Sequence, residues 1–176
     1  MIERLASREV YANRWMRVRE DDVRFADGST GIYGVVEKPD FALIVPWDGT
    51  AFWLVEQHRY PVGERFWEFP QGSWDDRRTD RPAEELARAE LEEETGLRAG
   101  RLTRLGHLYE AYGFSNQGFH VFLAEELVEG ARRPTPSEQD MEVGRFTPEE
   151  LWGLVADGKL KDAPSLAALA LVRQAG

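Results

Sequence analysis

Cysteine is absent from the 176-residue sequence, and its absence excludes disulfide bonds and thiol catalysis. This composition suits a cytoplasmic protein, which is our expectation. Long apolar runs are also lacking, because the longest of them, Phe41 to Trp47, is far too short to span a bilayer. The first residues contain no apolar segment typical of a secretory signal. We therefore expect no membrane partner.

Positive charge is in short supply. The chain has 22 Lys and Arg residues against 32 Asp and Glu residues, which gives a formal net charge of −10. Such a charge argues against non-specific binding to nucleic acid or to an anionic membrane. If the substrate is a phosphate compound, metal ions and a few local arginines must make the electrostatic potential positive at the binding site. A hydrophobic content of 42% and the chain length are typical of one globular domain with a sizeable core.

Alternating apolar residues and turn signals predict β-strands from Val10 to about Leu54. Within this segment, the apolar run Phe41–Val45, the turn residues Asp48-Gly49 and the run Ala51–Val55 predict a β-hairpin. Further strands are predicted at 102–110, 119–124 and 142–146, and helices at 82–95, 147–156 and 162–174. The pattern predicts an α+β fold with a largely antiparallel sheet.

An acidic helix end is the most informative feature. Glu90, Glu93 and Glu94 fall on one side of the predicted helix, just before Gly96, a residue typical of a helix end. A helix C-terminus carries partial negative charge, so each carboxylate there costs about 0.3–1 kcal/mol. A solvated acidic face is one explanation. The other explanation is a bound divalent cation, which would neutralise the carboxylates, because Mg²⁺ and Mn²⁺ favour carboxylate oxygens as ligands.

The segment from Gly72 to Leu97 resembles the signature of the Nudix hydrolases, which runs from a glycine through a loop to R-E-U-x-E-E-x-G-U, where U is apolar. Two positions depart from it: Ala89 replaces the signature arginine, and Arg81 replaces the first glutamate. The loop is also three residues longer. In the family these two positions orient the loop and the helix, whereas the later glutamates hold metal. The departures therefore concern geometry more than ligand identity.

Other segments are similar to the branch of that family that contains ADP-ribose pyrophosphatases and nucleoside diphosphate sugar hydrolases. They lie in the same order as in that branch, at 15–36, 55–62, 67–72 and 157–165. The resemblance implies a Nudix-type α/β/α sandwich with a mixed β-sheet. It also implies that residues 1–40 form an N-terminal β-strand extension in a dimer interface, that residues 41–176 form the Nudix domain, and that the protein is a homodimer.

The resemblance implies metal-dependent hydrolysis of the pyrophosphate bond of ADP-ribose or a related nucleoside diphosphate sugar, which gives a nucleoside monophosphate and a sugar phosphate. Mg²⁺, or Mn²⁺ in its place, is the cofactor that it implies. Glu90 and Glu94 are the foremost metal ligands that it implies. Glu93, which the family pattern also places in catalysis, and the backbone carbonyl of Gln71 follow them.

Substrate contacts are implied for four further residues. Arg59 is expected to clamp phosphate, since a guanidinium offers a bidentate fork to its oxygens; the alternative is a surface arginine. Glu68 is expected to be a carboxylate of the site, with an outward-facing strand residue as an equal alternative. Trp15 and Tyr33 are expected to stack on an adenine ring, or else to pack against neighbouring side chains.

A general base is expected from the acidic segment before the last strand, with Glu138 first and Glu142 second; a solvated acid is the alternative. The three histidines, His58, His107 and His120, show no spacing typical of metal ligands, so we expect structural roles for them.

Two other functions stay open. Tyr112 and the sequence Pro70-Gln71-Gly72 are more typical of dinucleoside polyphosphate hydrolases, so a dinucleoside polyphosphate or nucleoside triphosphate hydrolase is the enzymatic alternative. The departures at Ala89 and Arg81 permit an inactive Nudix-fold module that senses nucleotides.

Overall fold

The computed structural model describes residues 1–74, 81–132 and 139–175. Within them the strands are β1 (Glu3–Ala12), β2 (Arg17–Arg24), β3 (Thr30–Glu37), β4 (Phe41–Pro46), β5 (Phe52–Arg59), β6 (Glu64–Glu68), β7 (Gln71–Gly72), β8 (Leu97–Tyr109), β9 (Gly118–Glu129) and β10 (Glu142–Phe146). The helices are α1 (Ala83–Thr95), α2 (Pro148–Ala156) and α3 (Ala163–Ala175).

The first three strands form their own antiparallel sheet in the order β1-β2-β3. Residues 25–29 turn the chain between β2 and β3, and Gly28 in this turn has a φ of 87°, which a glycine adopts at low cost. All ten residues of β1 are exposed. The small sheet therefore presents an uncovered strand at its edge.

Two further sheets contain the remaining strands of the described residues. One has the order β7-β4-β9-β8 and is mixed, because β4 runs parallel to β9 and antiparallel to β7. The other has the order β10-β5-β6 and is antiparallel. All six residues of β4 are buried, so this strand lies at the centre of the fold.

Side chains alternate across β4 and divide the core into two halves. Leu43 and Val45 pack on the side that contains α2 and α3, whereas Ala42 and Ile44 pack against α1. Helices thus cover both faces of a mixed sheet. The predicted α+β class and the α/β/α sandwich are confirmed.

Local signals account for the helix ends. Gly96 ends α1 in the left-handed conformation with a φ of 75°, as predicted. Thr147 and Glu150 form a capping box at the start of α2, in which each side chain bonds the backbone N–H of the other residue. Pro82 is the N-cap of α1 rather than its first helical residue. Within the described ranges, no helix has both the length and the apolar character that a membrane span requires.

The predicted hairpin at 41–55 is wrong. Strands β4 and β5 lie in different sheets, and a single bridge between Trp47 and Phe52 joins the two ends of the turn. A strand buried on both faces takes neighbours on both edges, and here β7 and β9 occupy those places beside β4. The prediction also missed most of β1, because its polar, fully exposed sequence carries little alternation.

Asp48 holds the turn at which the chain crosses between the two sheets. Its carboxylate accepts hydrogen bonds from the backbone N–H groups of Thr50 and Ala51, each at 3.0 Å, and from Nε of Arg145 at 2.6 Å. The hydrogen bond from Arg145 is the main reason that the pKa of Asp48 lies well below its usual range. The charged form of Asp48 therefore stabilises the crossing.

The variant Asp48→Asn tests this role. A carboxyl whose pKa is depressed in the folded state stabilises the protein above its unfolded pKa, near 4, and loses that contribution as the pH falls. We expect the variant to be about 1 kcal/mol less stable at pH 7, and the difference to shrink below about pH 4. Urea unfolding at pH 3–7 measures it, with Asp22→Asn, an exposed acid on β2, as the control. A difference independent of pH would contradict the assignment.

Candidate active site

The acidic end of α1 packs on the short strand β7. Glu94 is only 2% exposed, and its Oε2 accepts a hydrogen bond of 3.0 Å from the backbone N–H of Gln71. Glu90 and Glu93 are partly buried. The helix thus brings its carboxylates to the backbone of a segment about 20 residues earlier in the chain.

Gly72 makes this packing possible. A Cβ added to Gly72 would lie 2.5 Å from each carboxylate oxygen of Glu90, well inside van der Waals contact. The carboxylate of Glu90 therefore occupies the space that any side chain at position 72 would need. A glycine is required here for close approach rather than for an unusual φ.

The C-terminal helix holds the same segment from the other side. The hydroxyl of Ser165, which is fully buried, accepts a hydrogen bond of 2.9 Å from the backbone N–H of Phe69. Ser165 in turn donates to Oδ2 of Asp162 at 2.6 Å, and the side-chain amide of Gln71 donates to the same oxygen at 3.2 Å. Residues 69–71 are therefore clamped between α1 and the start of α3.

Arg59 and Glu68 form an ion pair beside this segment. Nε of Arg59 donates to Oε2 of Glu68 at 2.9 Å, a second guanidinium nitrogen contacts Oε1, and Nε2 of Gln57 donates to Oε1 at 2.8 Å. Glu68 is 2% exposed, whereas the side chain of Arg59 is 41% exposed. The buried carboxylate therefore fixes a guanidinium that still reaches solvent.

Electrostatics at the pair follow from burial and proximity. Burial raises the pKa of Glu68 above its usual value, and the charge of Arg59 offsets only part of the rise. Burial opposes the charge of Arg59, but attraction to Glu68, with smaller contributions from Glu94 and Asp162, raises the pKa of Arg59. Arg59 is thus firmly cationic.

A cleft of about 900 Å³ opens over these residues. This volume suits a ligand of nucleotide size. Charged and polar side chains make up much of its lining, namely Lys38, Arg59, Glu64, Glu68, Gln71, Ser73, Glu110, Gln117, Lys161 and Asp162. The cleft therefore combines cations with the clamped backbone of β7.

Arg81, one of the two departures from the signature, and Arg88, the neighbour of Ala89 at the other, both make contacts of their own. The guanidinium of Arg81 lies 3.6 Å above the ring of Trp74 and pairs with Glu85 at 3.5 Å. Arg88 donates to the backbone carbonyl of Ala99 at 3.0 Å, so it ties α1 to β8 rather than to the loop. Arg81 thus makes its contacts at the start of α1, whereas Arg88 makes its contact from the middle of the helix.

Two models of known protein domains match almost the whole chain. A model of the NUDIX domain matches residues 37–169, and a model of the nucleoside diphosphate sugar hydrolase N-terminal domain matches residues 2–36. The chain belongs to the Nudix family. In this family the glutamates of the signature hold divalent metal, and the carboxylates and backbone carbonyls at α1 and β7 are the oxygen donors that Mg²⁺ and Mn²⁺ prefer.

Two curated Nudix relatives are similar over nearly the whole chain. One, an ADP-ribose pyrophosphatase of Bacillus subtilis, is 30% identical over 94% of this chain and 89% of its own length. The other, an ADP-ribose pyrophosphatase of Mycobacterium tuberculosis, is 31% identical over 97% of this chain and 82% of its own length. A solved structure described as an ADP compounds hydrolase superimposes with a TM-score of 0.84 at 23% identity, covering 98% of this chain and 92% of that one, and shows the fold.

The structure brings some of the predicted site residues together. Arg59, Glu68 and Gln71 line the cleft, Glu94 is bonded to Gln71, and Glu90 lies against Gly72. Glu68 is buried, so its reading as an outward-facing residue is wrong.

Other predicted site residues lie elsewhere or cannot be placed. Trp15, with the guanidinium of Arg14 4.0 Å above its ring, and Tyr33, whose hydroxyl donates to the carbonyl of Gly113 at 2.9 Å, are not among the residues lining the cleft. Glu142 is exposed on β10, opposite Glu56. Glu138 lies outside the described residues.

Two groups of residues were not predicted from the sequence. Asp162 and Ser165 were expected only as the start of the last helix, and their bonds to residues 69–71 have no signal in the spacing. His107 and His120 were expected to have structural roles because their spacing is not typical of metal ligands; the register of β8 and β9 places them opposite each other, with Asp40 beside them.

Gly72→Ala tests the packing of α1 on β7. The added methyl group would displace the carboxylate of Glu90, and a displacement of about 1 Å at a catalytic centre can cost about 100-fold in rate. We expect a rate of pyrophosphate hydrolysis at least about 100-fold lower and weaker Mn²⁺ binding by electron paramagnetic resonance, with an unchanged circular dichroism spectrum.

The matched control is Gly153→Ala on α2, where an added Cβ meets no atom within 4 Å. This change is expected to leave the rate unchanged and to stabilise the helix by up to about 1 kcal/mol. Full activity of Gly72→Ala would show that Glu90 does not need its observed position.

Proposed function

We propose that the protein is a metal-dependent pyrophosphohydrolase that cleaves ADP-ribose or a related nucleoside diphosphate sugar into a nucleoside monophosphate and a sugar phosphate. The observation that carries the proposal is the packing of Glu90 and Glu94 on the backbone of β7, at a cleft that Arg59 also lines. The names of the two curated relatives support the substrate class.

Recognition of the pyrophosphate is proposed for the cations of the cleft. Arg59 is held in place by Glu68 while its side chain stays 41% exposed, so it can offer donors to phosphate oxygens. Lys38 and Lys161 also line the cleft, and among the described residues neither pairs with a carboxylate. These groups supply local positive charge in a chain of net charge −10.

Mg²⁺, with Mn²⁺ as a substitute, is the proposed cofactor. Glu90, Glu93 and Glu94 and the carbonyl of Gln71 would hold it, and Asp162 and Ser165 keep that carbonyl's segment in position. When bound, such an ion neutralises phosphoryl oxygens and polarises water. Glu68 contributes by orienting Arg59.

The general base is proposed to come from the acidic segment before β10, with Glu138 first and Glu142 second. Arg65 on β6 ties this segment to the wall of the cleft, because it bonds the side chain and the carbonyl of Asp140, each at 2.8 Å. Glu142 is exposed and therefore accessible to solvent.

Glu90→Gln and Glu94→Gln test the metal-binding assignment. Each change keeps the shape of the side chain and removes one negative charge, so we expect kcat to fall at least about 100-fold with Mg²⁺. Glu92→Gln is the matched control, since Glu92 lies in the same acidic run but points to the opposite side of the helix; its kcat should stay within about twofold. Full activity of Glu94→Gln would overturn the assignment.

Analysis of the products of a panel of nucleoside diphosphate compounds identifies the substrate class. AMP and ribose 5-phosphate from ADP-ribose support the proposal. Release of ATP from a dinucleoside polyphosphate, or of pyrophosphate from a nucleoside triphosphate, would support the enzymatic alternative instead. Tight nucleotide binding without any hydrolysis would identify a sensor.

A homodimer built on the N-terminal sheet is also proposed, with residues 1–40 as the extension and residues 41–176 as the catalytic domain. All ten residues of β1 are exposed, and the apolar side chains of Leu5, Val10 and Ile32 on this sheet are 43–64% exposed. A second copy would cover the exposed residues of β1 and of this sheet. Trp15 and Tyr33, which do not line the cleft of their own chain, are proposed to reach the nucleotide base in the dimer.

Ile32→Asp tests the dimer. Ile32 lies on β3 and is the most exposed of these three apolar side chains, and a charge there would be desolvated if a second copy covers it. We therefore expect the variant to be monomeric at micromolar concentration by size-exclusion chromatography with light scattering. Val128→Asp is the control, because Val128 is also exposed, at 58%, but lies on β9. A native chain that is already monomeric would contradict the proposal.

A further inference from the structure

A group of three metal-ligand side chains lies apart from the acidic end of α1. Asp40 precedes β4, His107 lies on β8, and His120 lies on β9. One ligand atom from each of them falls within 4.8 Å of the others. His120 and Asp40 also line a pocket of about 350 Å³ that includes Trp74 and Arg81.

The register of two antiparallel strands creates the group. His107 and His120 are direct partners across β8 and β9, so their side chains share one face of the sheet. Their ring centroids are 4.7 Å apart. Oδ2 of Asp40 lies 2.8 Å from Nε2 of His107 and 3.7 Å from Nε2 of His120. Ligand atoms about 2 Å from a tetrahedral Zn²⁺ lie about 3.3 Å apart, close to these spacings.

The surrounding backbone holds these side chains in place. Oδ1 of Asp40 accepts a hydrogen bond of 2.9 Å from the N–H of Gly118. A Cβ added to Gly118 would lie 2.6 Å from Cε1 of His107 and closer still to Nε2, so the ring depends on glycine at this position. The buried Gln117 donates to the carbonyl of Pro39 at 2.9 Å and fixes the segment that carries Asp40.

Arg104 competes with a metal ion for His120. One of its guanidinium nitrogens lies 3.0 Å from Nδ1 of His120, and a guanidinium only donates, so the proton of this ring is on Nε2. A ring that accepts a hydrogen bond at Nδ1 and carries its proton on Nε2 is neutral, and the neutral imidazole is the form that binds metal. For Nε2 of His120 to bind a metal ion, the ring proton must move to Nδ1. Nδ1 then no longer accepts a hydrogen bond, so the exposed side chain of Arg104 must turn away.

We propose that Asp40, His107 and His120 form a second metal site, which takes a divalent transition-metal ion of the Zn²⁺ type and is separate from the carboxylate site on α1. Two imidazoles and one carboxylate favour such an ion over Mg²⁺, which prefers oxygen ligands alone. Three protein ligands leave a fourth position for water or another ligand. The ion ties the segment that enters β4 to strands β8 and β9.

The test is a titration of the full-length native chain with ZnCl₂ in millimolar Mg²⁺, monitored by imidazole NMR resonances and by calorimetry. The chain has only three histidines, and His58 on β5 is outside the group, so it serves as an internal control. We expect saturable binding of one ion that shifts the resonances of His107 and His120 and leaves those of His58 in place.

Variants separate the second site from the carboxylate site. His107→Ala, His120→Ala and Asp40→Asn should each weaken Zn²⁺ binding at least about tenfold, whereas His58→Ala should not change it. Arg104→Leu should tighten it several-fold, because the competing donor is gone. Glu94→Gln should leave it unchanged, so the result does not depend on whether the chain is active.

Three results would overturn the proposal. One is Zn²⁺ binding that persists unchanged in folded His120→Ala and Asp40→Asn. Another is binding that disappears in Glu94→Gln, which would place the ion on α1. The third is no saturable binding to the native chain or to Arg104→Leu.

Discussion

The contact between the carboxylates of α1 and the backbone of β7 is the constraint on which the site depends. Glu90 fills the space above Gly72, and Glu94 is buried while it accepts a hydrogen bond from Gln71. Negative charge at the C-terminal end of a helix is unfavourable, and burial increases its cost. These carboxylates nevertheless pack on β7, whose residues line the cleft. Packed carboxylates beside a cleft are expected of a cation site rather than of a solvated helix face.

The last helix belongs to the same arrangement, although it lies about 90 residues further along the chain. The hydroxyl of Ser165 accepts a hydrogen bond from the backbone N–H of Phe69. The carboxylate of Asp162 accepts one from the side-chain amide of Gln71 and another from the backbone N–H of Ser165 at the start of α3. Two of these bonds end on the segment that α1 holds from the other side. The position of Gln71 is therefore set by two helices at once, and the C-terminal helix acts on the site through the backbone.

Local features of the fold could be predicted from the sequence, whereas pairings between distant segments could not. The end of α1 at Gly96 and the start of α2 at Thr147 depend on a few neighbouring residues, and both were predicted. The hairpin at 41–55 was wrong because adjacency in the chain does not determine which strands pair. The proximity of His107 and His120 depends on a bulge between Arg104 and Gly106 that shifts the register of β8, and residue spacing does not show it.

The charges of the chain and of the cleft bear on the divalent ion that we propose for this site. The chain carries a net charge of −10, and the buried Glu68 already neutralises part of the charge of Arg59. Lys38 and Lys161 add positive charge at the cleft. Two like unit charges 4 Å apart repel each other by about 4 kcal/mol near a protein surface. A divalent ion between the carboxylates of α1 and a pyrophosphate would replace this repulsion by attraction on both sides, so the electrostatics of the site favour the metal-dependent reaction that we propose.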